Sequence, residues 1–72
     1  MMTTELLRQI GEALYGAHFW SATLAEALDV SPRNMRRFAN GTKEIPPGLA
    51  VPIRVLIAER QRLLVELAHQ LD

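Results

Sequence analysis

The fold is decided by residues 21–41, which read SATLAEALDVSPRNMRRFANG. Ser31 followed by Pro32 indicates the start of a helix, because serine is a good N-cap and the fixed φ of proline suits the first helical position. We predict that this helix runs to residue 40 and stops at Gly41, since glycine is the usual residue just past a helix end. The stretch therefore contains a helix with a well-marked beginning and end.

A second short helix precedes this start. Its apolar stripe has helical spacing and consists of Leu24, Ala25 and Leu28. We predict that it begins at the N-cap Ser21 and stops at residues 29–30. Only a few residues separate the two helices, so they must meet at a sharp angle. We expect the small Ala25 to allow close approach and Val30 to fill the turn.

A further helix is predicted over residues 4–15. Thr3 or Thr4 is its expected N-cap, and Gly16 is its expected stop. Its apolar residues recur at helical spacing, and they are Leu6, Leu7, Ile10, Ala13 and Leu14.

The C-terminal part predicts one long helix. Prolines make residues 42–48 an extended connection, and apolar residues at helical spacing then run from about residue 49 to residue 71. No apolar pattern alternates at period two. We therefore predict an all-α fold, in which residues 1–72 form one compact helical bundle with a helix-turn-helix and a long C-terminal helix.

Aromatic residues and the start of the long helix are expected to complete the core. Phe19, Trp20 and Phe38 stand at helix-packing positions rather than among exposed basic residues, so we assign them to the core and not to base stacking. The first turns of the long helix are expected to close over this core with Leu49, Ile53, Leu56 and Ile57.

One face of helix 31–40 is basic. At about 100° per residue, Met35 and Phe38 share a face that anchors this helix in the core, and Arg33 and Arg37 point the opposite way. The outward set is Arg33, Asn34, Arg36 and Arg37. Arginine donates two parallel hydrogen bonds to guanine, and asparagine pairs with adenine. We therefore predict that these four residues contact bases in a DNA major groove.

Residues 24–31, LAEALDVS, followed by RRFANG at residues 36–41, resemble the helix-turn-helix of the lambda-repressor-like (Cro/XRE-type) DNA-binding family. The resemblance implies that the second and sixth residues of the recognition helix, Arg33 and Arg37, are the main base readers. It also implies a set of phosphate contacts at Ser21, Thr23, Ser31, Asn40, Thr42 and Lys43. This chain departs from the family at Asp29, where the family usually has glycine, and in its single long final helix.

The net charge is zero, with eight Lys and Arg against eight Asp and Glu, and as a sum it speaks against a nucleic-acid partner. The charges are unevenly placed, however. Residues 30–43 carry four cations and no acid, so the other residues hold four cations and all eight acids. The positive end coincides with helix 31–40, and we expect this asymmetry to orient the chain on DNA.

The last helix extends an apolar stripe beyond the reach of the other helices. A helix of about 20 residues is some 30 Å long, as wide as the whole domain. An apolar stripe left in water marks an interface, and we predict a homodimer through Leu63, Leu64, Leu67, Ala68 and Leu71. The dimer would present two recognition helices to half-sites roughly 34 Å apart, which implies a palindromic operator.

Other classes of function are disfavoured. The chain has no cysteine, and neither histidine has a partner at ligand spacing, so we expect no metal and no cofactor. No phosphate-binding loop or catalytic set is present, so we predict that the protein is not an enzyme. No membrane partner is expected, and the absence of a signal peptide predicts a cytoplasmic, nucleoid-associated protein.

The sequence leaves two hypotheses. The first is a sequence-specific regulator of transcription, phage-like or prophage-like in character, which represses by occluding its operator. The alternative is a helical protein-interaction module, such as an antitoxin or adaptor, that acts mainly through the apolar C-terminal helix.

Overall fold

A computed structural model describes residues 2–71. The described chain is all-α, as predicted, and holds four α-helices with no strand. In chain order the helices are α1 (Thr4–Tyr15), α2 (Trp20–Ala27), α3 (Pro32–Ala39) and α4 (Ala50–Gln70), and a single 3-10 turn (Pro47–Leu49) leads directly into α4.

The core lies between α1, α2 and α3, which all pack against one another. It is built from Leu7, Trp20, Leu24, Ala25, Met35, Phe38, Ile45 and Ile53. Ile45 fixes the extended connection to the core, and Ile53 is the one buried residue of α4 among those described. Leu49 and Leu56 add partly buried contacts at the edge, as predicted. The core thus holds α4 only near its beginning.

Local signals set the ends of α1 and α3 as predicted. The Thr3 hydroxyl accepts a hydrogen bond from the Leu6 amide at 3.1 Å, and the Ser31 hydroxyl accepts one from the Asn34 amide at 3.1 Å. Gly16 follows α1 at φ 92°, a left-handed conformation that a side chain would disfavour. Both helices are therefore capped where the sequence places the capping residues.

Three predictions about α2 and α4 are wrong. Ser21 is not the N-cap of α2, because the helix begins at Trp20 and follows Phe19, which makes no side-chain cap. Phe19 is not in the core but 78% exposed, because it precedes the helix and the adjacent Trp20 takes the buried position. Ile57 is 41% exposed, because it lies past the point where α4 leaves the core.

A glycine inside α1 makes room for the tryptophan. Gly11 is buried, and the ring of Trp20 lies directly against its backbone. A Cβ atom placed on Gly11 would lie 2.6 Å from Trp20 Cδ2 and closer still to Cε3. The α1–α2 contact therefore depends on the absence of a side chain at this position.

The turn between α2 and α3 carries backbone strain at Asp29. Its φ is 56°, and among residues 2–71 it is the one non-glycine residue with a positive φ. The next residue, Val30, donates its amide to the Ala25 carbonyl at 2.9 Å and packs against the core, as predicted for the turn. The turn between the two helices thus places aspartate in a left-handed conformation that most side chains disfavour.

Replacing Asp29 with glycine is expected to raise the free energy of unfolding by about 0.5–1 kcal/mol, because glycine adopts the left-handed conformation without steric cost. Urea unfolding measures the change. Asp29→Ala removes the same charge but keeps a Cβ, and it should lower stability. Equal effects of the two substitutions would mean that charge, and not backbone strain, governs this position.

The distal half of α4 projects from the core. The molecule measures 47 × 24 × 20 Å, and every residue from Gln61 to Leu71 is exposed. Within residues 2–71, no helix combines the length and apolar character needed to cross a membrane. The predicted apolar stripe of α4 is therefore present and uncovered in the single chain.

Candidate functional site

The outer face of α3 forms a basic surface. Met35 and Phe38 are buried, and Arg33, Arg36 and Arg37 are exposed, so the predicted division of the helix into two faces is confirmed. An isolated helix of eight residues is unstable in water. The two buried anchors therefore hold this helix and present its arginines to solvent.

Hydrogen bonds fix the C-terminal end of α3. The Arg37 carbonyl accepts from the backbone amides of Thr42 at 3.0 Å and Lys43 at 3.2 Å. The Phe38 carbonyl accepts from the Thr4 hydroxyl at 2.9 Å, across 34 residues of sequence. This last bond ties the start of α1 to the end of α3. Carbonyls that a helix leaves unpaired are satisfied here, so the basic face is held at both ends.

Lys43 folds back along α3 instead of pointing away from it. Its Nζ atom donates to Asn34 Oδ1 at 3.3 Å and lies 5.9 Å from the centroid of the Phe38 ring. Asn34 is half-buried, at the edge of the exposed face. To pair with adenine, Asn34 would have to exchange its contact with Lys43 for the base. The three arginines are therefore better placed than Asn34 for contacts with bases.

The hydroxyl groups predicted to bind phosphates differ in whether their hydroxyl hydrogen is already used in a hydrogen bond. Ser31 Oγ accepts from the Asn34 amide, and that bond leaves its hydroxyl hydrogen for a phosphate. Thr23 already donates its hydroxyl to the Phe19 carbonyl at 3.2 Å. Ser21 is half-buried in the first turn of α2. Of these three residues, Ser31 is the best phosphate donor as the chain stands.

Asn40 and Thr42 form a local cap after α3. The Thr42 hydroxyl lies 2.7 Å from Asn40 Oδ1, and the Thr42 amide donates to the same oxygen at 3.1 Å. These bonds use the amide oxygen of Asn40 and leave its NH₂ group for other acceptors. Asn40 and Thr42 thus serve first to end the helix. The amide NH₂ of Asn40 and the ammonium of Lys43 still have hydrogens to donate near the C-terminal end of α3.

The positive charges of residues 30–43 sit on and beside one short helix. Arg33, Arg36 and Arg37 project from α3, and Lys43 lies along it. The nearest acids in sequence, Asp29 and Glu44, border this segment without entering it. Four cations so close together create a local positive potential that favours a polyanion.

A second surface is an apolar groove between α1 and the projecting part of α4. Its volume is about 640 Å³, and no residue of α3 lines it. From α1 it is lined by Gln9, Ile10, Ala13 and Leu14, and from α4 by Ile57, Arg60, Gln61, Leu64, Val65 and Ala68. We call this surface the α1–α4 groove.

The predicted interface residues of α4 are divided around this groove. Leu64 and Ala68 line it, whereas Leu63 borders a smaller hollow of about 200 Å³ beside Tyr15. Leu67 and Leu71 are exposed, and neither of them lines the groove.

Sequence reasoning missed the wall that α1 contributes to the groove. A signal was present, because the apolar stripe of α1 is wider than one buried face requires. Leu7 is fully buried in the core and Ala13 lines the groove, whereas Leu14 is buried but also lines the groove, and Ile10 packs against the core and lines the groove. The stripe of α1 therefore serves two surfaces.

No protein family, no curated protein and no solved structure matches this chain. Among residues 2–71, no group of three or more His, Asp or Glu side chains is placed to hold a metal ion. The basic face of α3 and the α1–α4 groove are the two candidate functional surfaces of the described residues.

Proposed function

We propose that the protein is a sequence-specific DNA-binding regulator of transcription that inserts α3 into the major groove. One observation carries this proposal. The short helices α2 and α3 meet at a strained turn, and α3 turns three exposed arginines away from its buried Met35 and Phe38. A helix held in this way by a neighbouring helix, with basic residues outward, has the shape and chemistry that a major groove accepts.

Contacts with DNA divide into base reading and phosphate binding. Arg33 and Arg37 lie opposite the core and bear the two-pronged donors that recognise guanine O6 and N7. The Ser31 hydroxyl, at the start of α3, and the Lys43 ammonium, beside it, bind the flanking phosphates and set the register. Specificity therefore rests on the arginines of α3, and positioning rests on its two ends.

The charge distribution supports the same orientation. The acids outside residues 30–43 disfavour other ways of approaching DNA, because the rest of the chain has a net negative charge. A net charge of zero also predicts a modest affinity for non-specific DNA, with a steep dependence on salt. We place this DNA binding at the nucleoid, in the cytoplasm.

The proposed regulator acts as a homodimer through the exposed stripe of α4. Two copies of α3 would then read half-sites of a palindromic operator in successive major grooves. Repression by occlusion of the operator, as in phage-like repressors, is the mode we propose.

Arg37→Ala is expected to weaken specific DNA binding by about 1–3 kcal/mol, a loss of roughly 10- to 100-fold, because the variant loses a two-pronged contact with a base. The DNA is first selected from a random pool by the unaltered protein, and affinity is then measured by fluorescence anisotropy. The matched control is Arg62→Ala, which removes one exposed arginine from α4, far along the chain from α3. An unchanged affinity for Arg37→Ala would exclude α3 as the recognition helix.

The alternative is a protein-interaction module, such as an antitoxin or adaptor, and the α1–α4 groove favours it. In that case the groove binds another protein and α3 has no base-reading role. Selection from the random pool would then enrich no sequence, and Arg37→Ala would behave like Arg62→Ala.

A further inference from the structure

We propose that the α1–α4 groove of each copy receives the distal half of α4 from a second copy, so that two chains fill each other's groove. This refines the homodimer of the proposed function and rests on it, but it does not depend on DNA binding. It adds Ile10, Ala13 and Val65 to an interface that the sequence assigned to one stripe of α4 alone.

The core face of α4 continues into the groove. From the buried Ile53, positions on one side of the helix recur at alternating steps of four and three residues, which is the spacing of a helix that packs along another helix. They are Ile53, Ile57, Arg60, Leu64, Leu67 and Leu71. The guanidinium carbon of Arg60 lies 5.8 Å from the centroid of the Tyr15 ring, so its charge has a partner within the same chain. The other five of these positions are apolar, so this side of α4 is suited to packing against a helix.

The exposed surface of the single chain is larger than that of a compact monomer, by about the area that one partner buries in a dimer. The chain exposes 5334 Å², whereas a compact monomer of 8.1 kDa exposes about 4,500 Å². The excess is roughly 800 Å², which is the share that each partner buries in an interface of standard size. The projecting half of α4 accounts for the elongated shape and hence for this excess.

A second copy suits the groove better than a small ligand. A small molecule in the groove would leave Leu67 and Leu71 in water, since they lie outside it. The α4 helix of another chain would fill the groove and cover its own stripe in the same step. Two-fold symmetry makes this exchange mutual, and the assembly closes as a dimer instead of growing into a fibre.

The test is sedimentation velocity of three variants over a range of concentrations. Ala13→Lys places a charge on the α1 wall, and Val65→Lys places one on the α4 wall, where residues 61–71 are exposed and the fold of the single chain is not at risk. Ala27→Lys is the matched control, because it adds the same charge at an exposed position at the end of α2. Circular dichroism confirms that all three are folded.

We expect the unaltered protein and Ala27→Lys to be dimers. Ala13→Lys and Val65→Lys should each raise the dissociation constant about 100-fold or more, since the interface would bury an unpaired charge. A monomeric unaltered protein at millimolar concentration overturns the inference. A dimer that persists in both groove variants also overturns it and places the interface elsewhere. Binding to DNA with a single half-site is measured separately. Neither groove substitution should change it, so a failure of this inference can be told apart from a failure of the DNA-binding proposal.

Discussion

Gly11→Ala is expected to lower the melting temperature by about 12–24 °C. The added methyl group would overlap the Trp20 ring, whose Cδ2 and Cζ3 atoms lie 2.6 and 3.0 Å from the Cβ position. Trp20 belongs to α2 and is 9% exposed, so a shift of its ring would disturb the packing of the core. Overpacking of this severity costs about 3 kcal/mol, and each kcal/mol shifts the melting temperature of a domain this small by about 4–8 °C.

Gly48→Ala is the control for this substitution. Gly48 lies in the 3-10 turn before α4, and a Cβ atom there would meet nothing within 4 Å. We expect its melting temperature to stay the same or to rise slightly, because alanine restricts the unfolded chain. If both variants melted alike by circular dichroism, the contact between Gly11 and Trp20 would not limit stability.

Leu64→Glu combined with Leu67→Glu is expected to convert the protein into a monomer and to weaken binding to a two-half-site operator by roughly 10²- to 10⁴-fold. Each dimer would otherwise bury four carboxylates in an apolar interface. Once the copies separate, the second half-site no longer gains from the high effective concentration that the dimer provides. Affinity for DNA with a single half-site should stay within about twofold, since both substitutions lie far along the chain from α3.

The double variant Val51→Glu with Val55→Glu is the matched control. It adds the same two charges to α4 at exposed positions that do not line the α1–α4 groove. It should remain a dimer by sedimentation and keep its affinity for the full operator. A persistent dimer in Leu64→Glu with Leu67→Glu would place the interface elsewhere on the chain.

Features that depend on a few neighbouring residues were predictable from the sequence. Thr3 and Ser31 cap their helices as expected, because a cap needs only a hydroxyl and an amide three residues away. The basic face of α3 was predictable as well, since Met35 and Phe38 fix its rotation.

Features that depend on competition between distant residues were not predictable. Phe19 and Trp20 are adjacent aromatic residues, and only the space beside Gly11 decides which of them is buried. The start of α2 follows from that choice and not from the Ser21 hydroxyl. In the same way, the apolar residues of α1 do not reveal that Ile10 and Ala13 face a groove, because the position of α4 decides it.

Because only its first turns are anchored in the core, the two halves of α4 differ in the stability of their helical conformation. Its first turns are fixed by Ile53, whereas residues 61–71 are all exposed and none of them is buried in the core. A solvated helical segment of about a dozen residues is marginally stable, and here it continues from an anchored nucleus. Any partner that covers it adds stability by mass action. In the proposed homodimer, the stability of the distal half of α4 would therefore rise with the protein concentration, whereas α3 is held by its own chain.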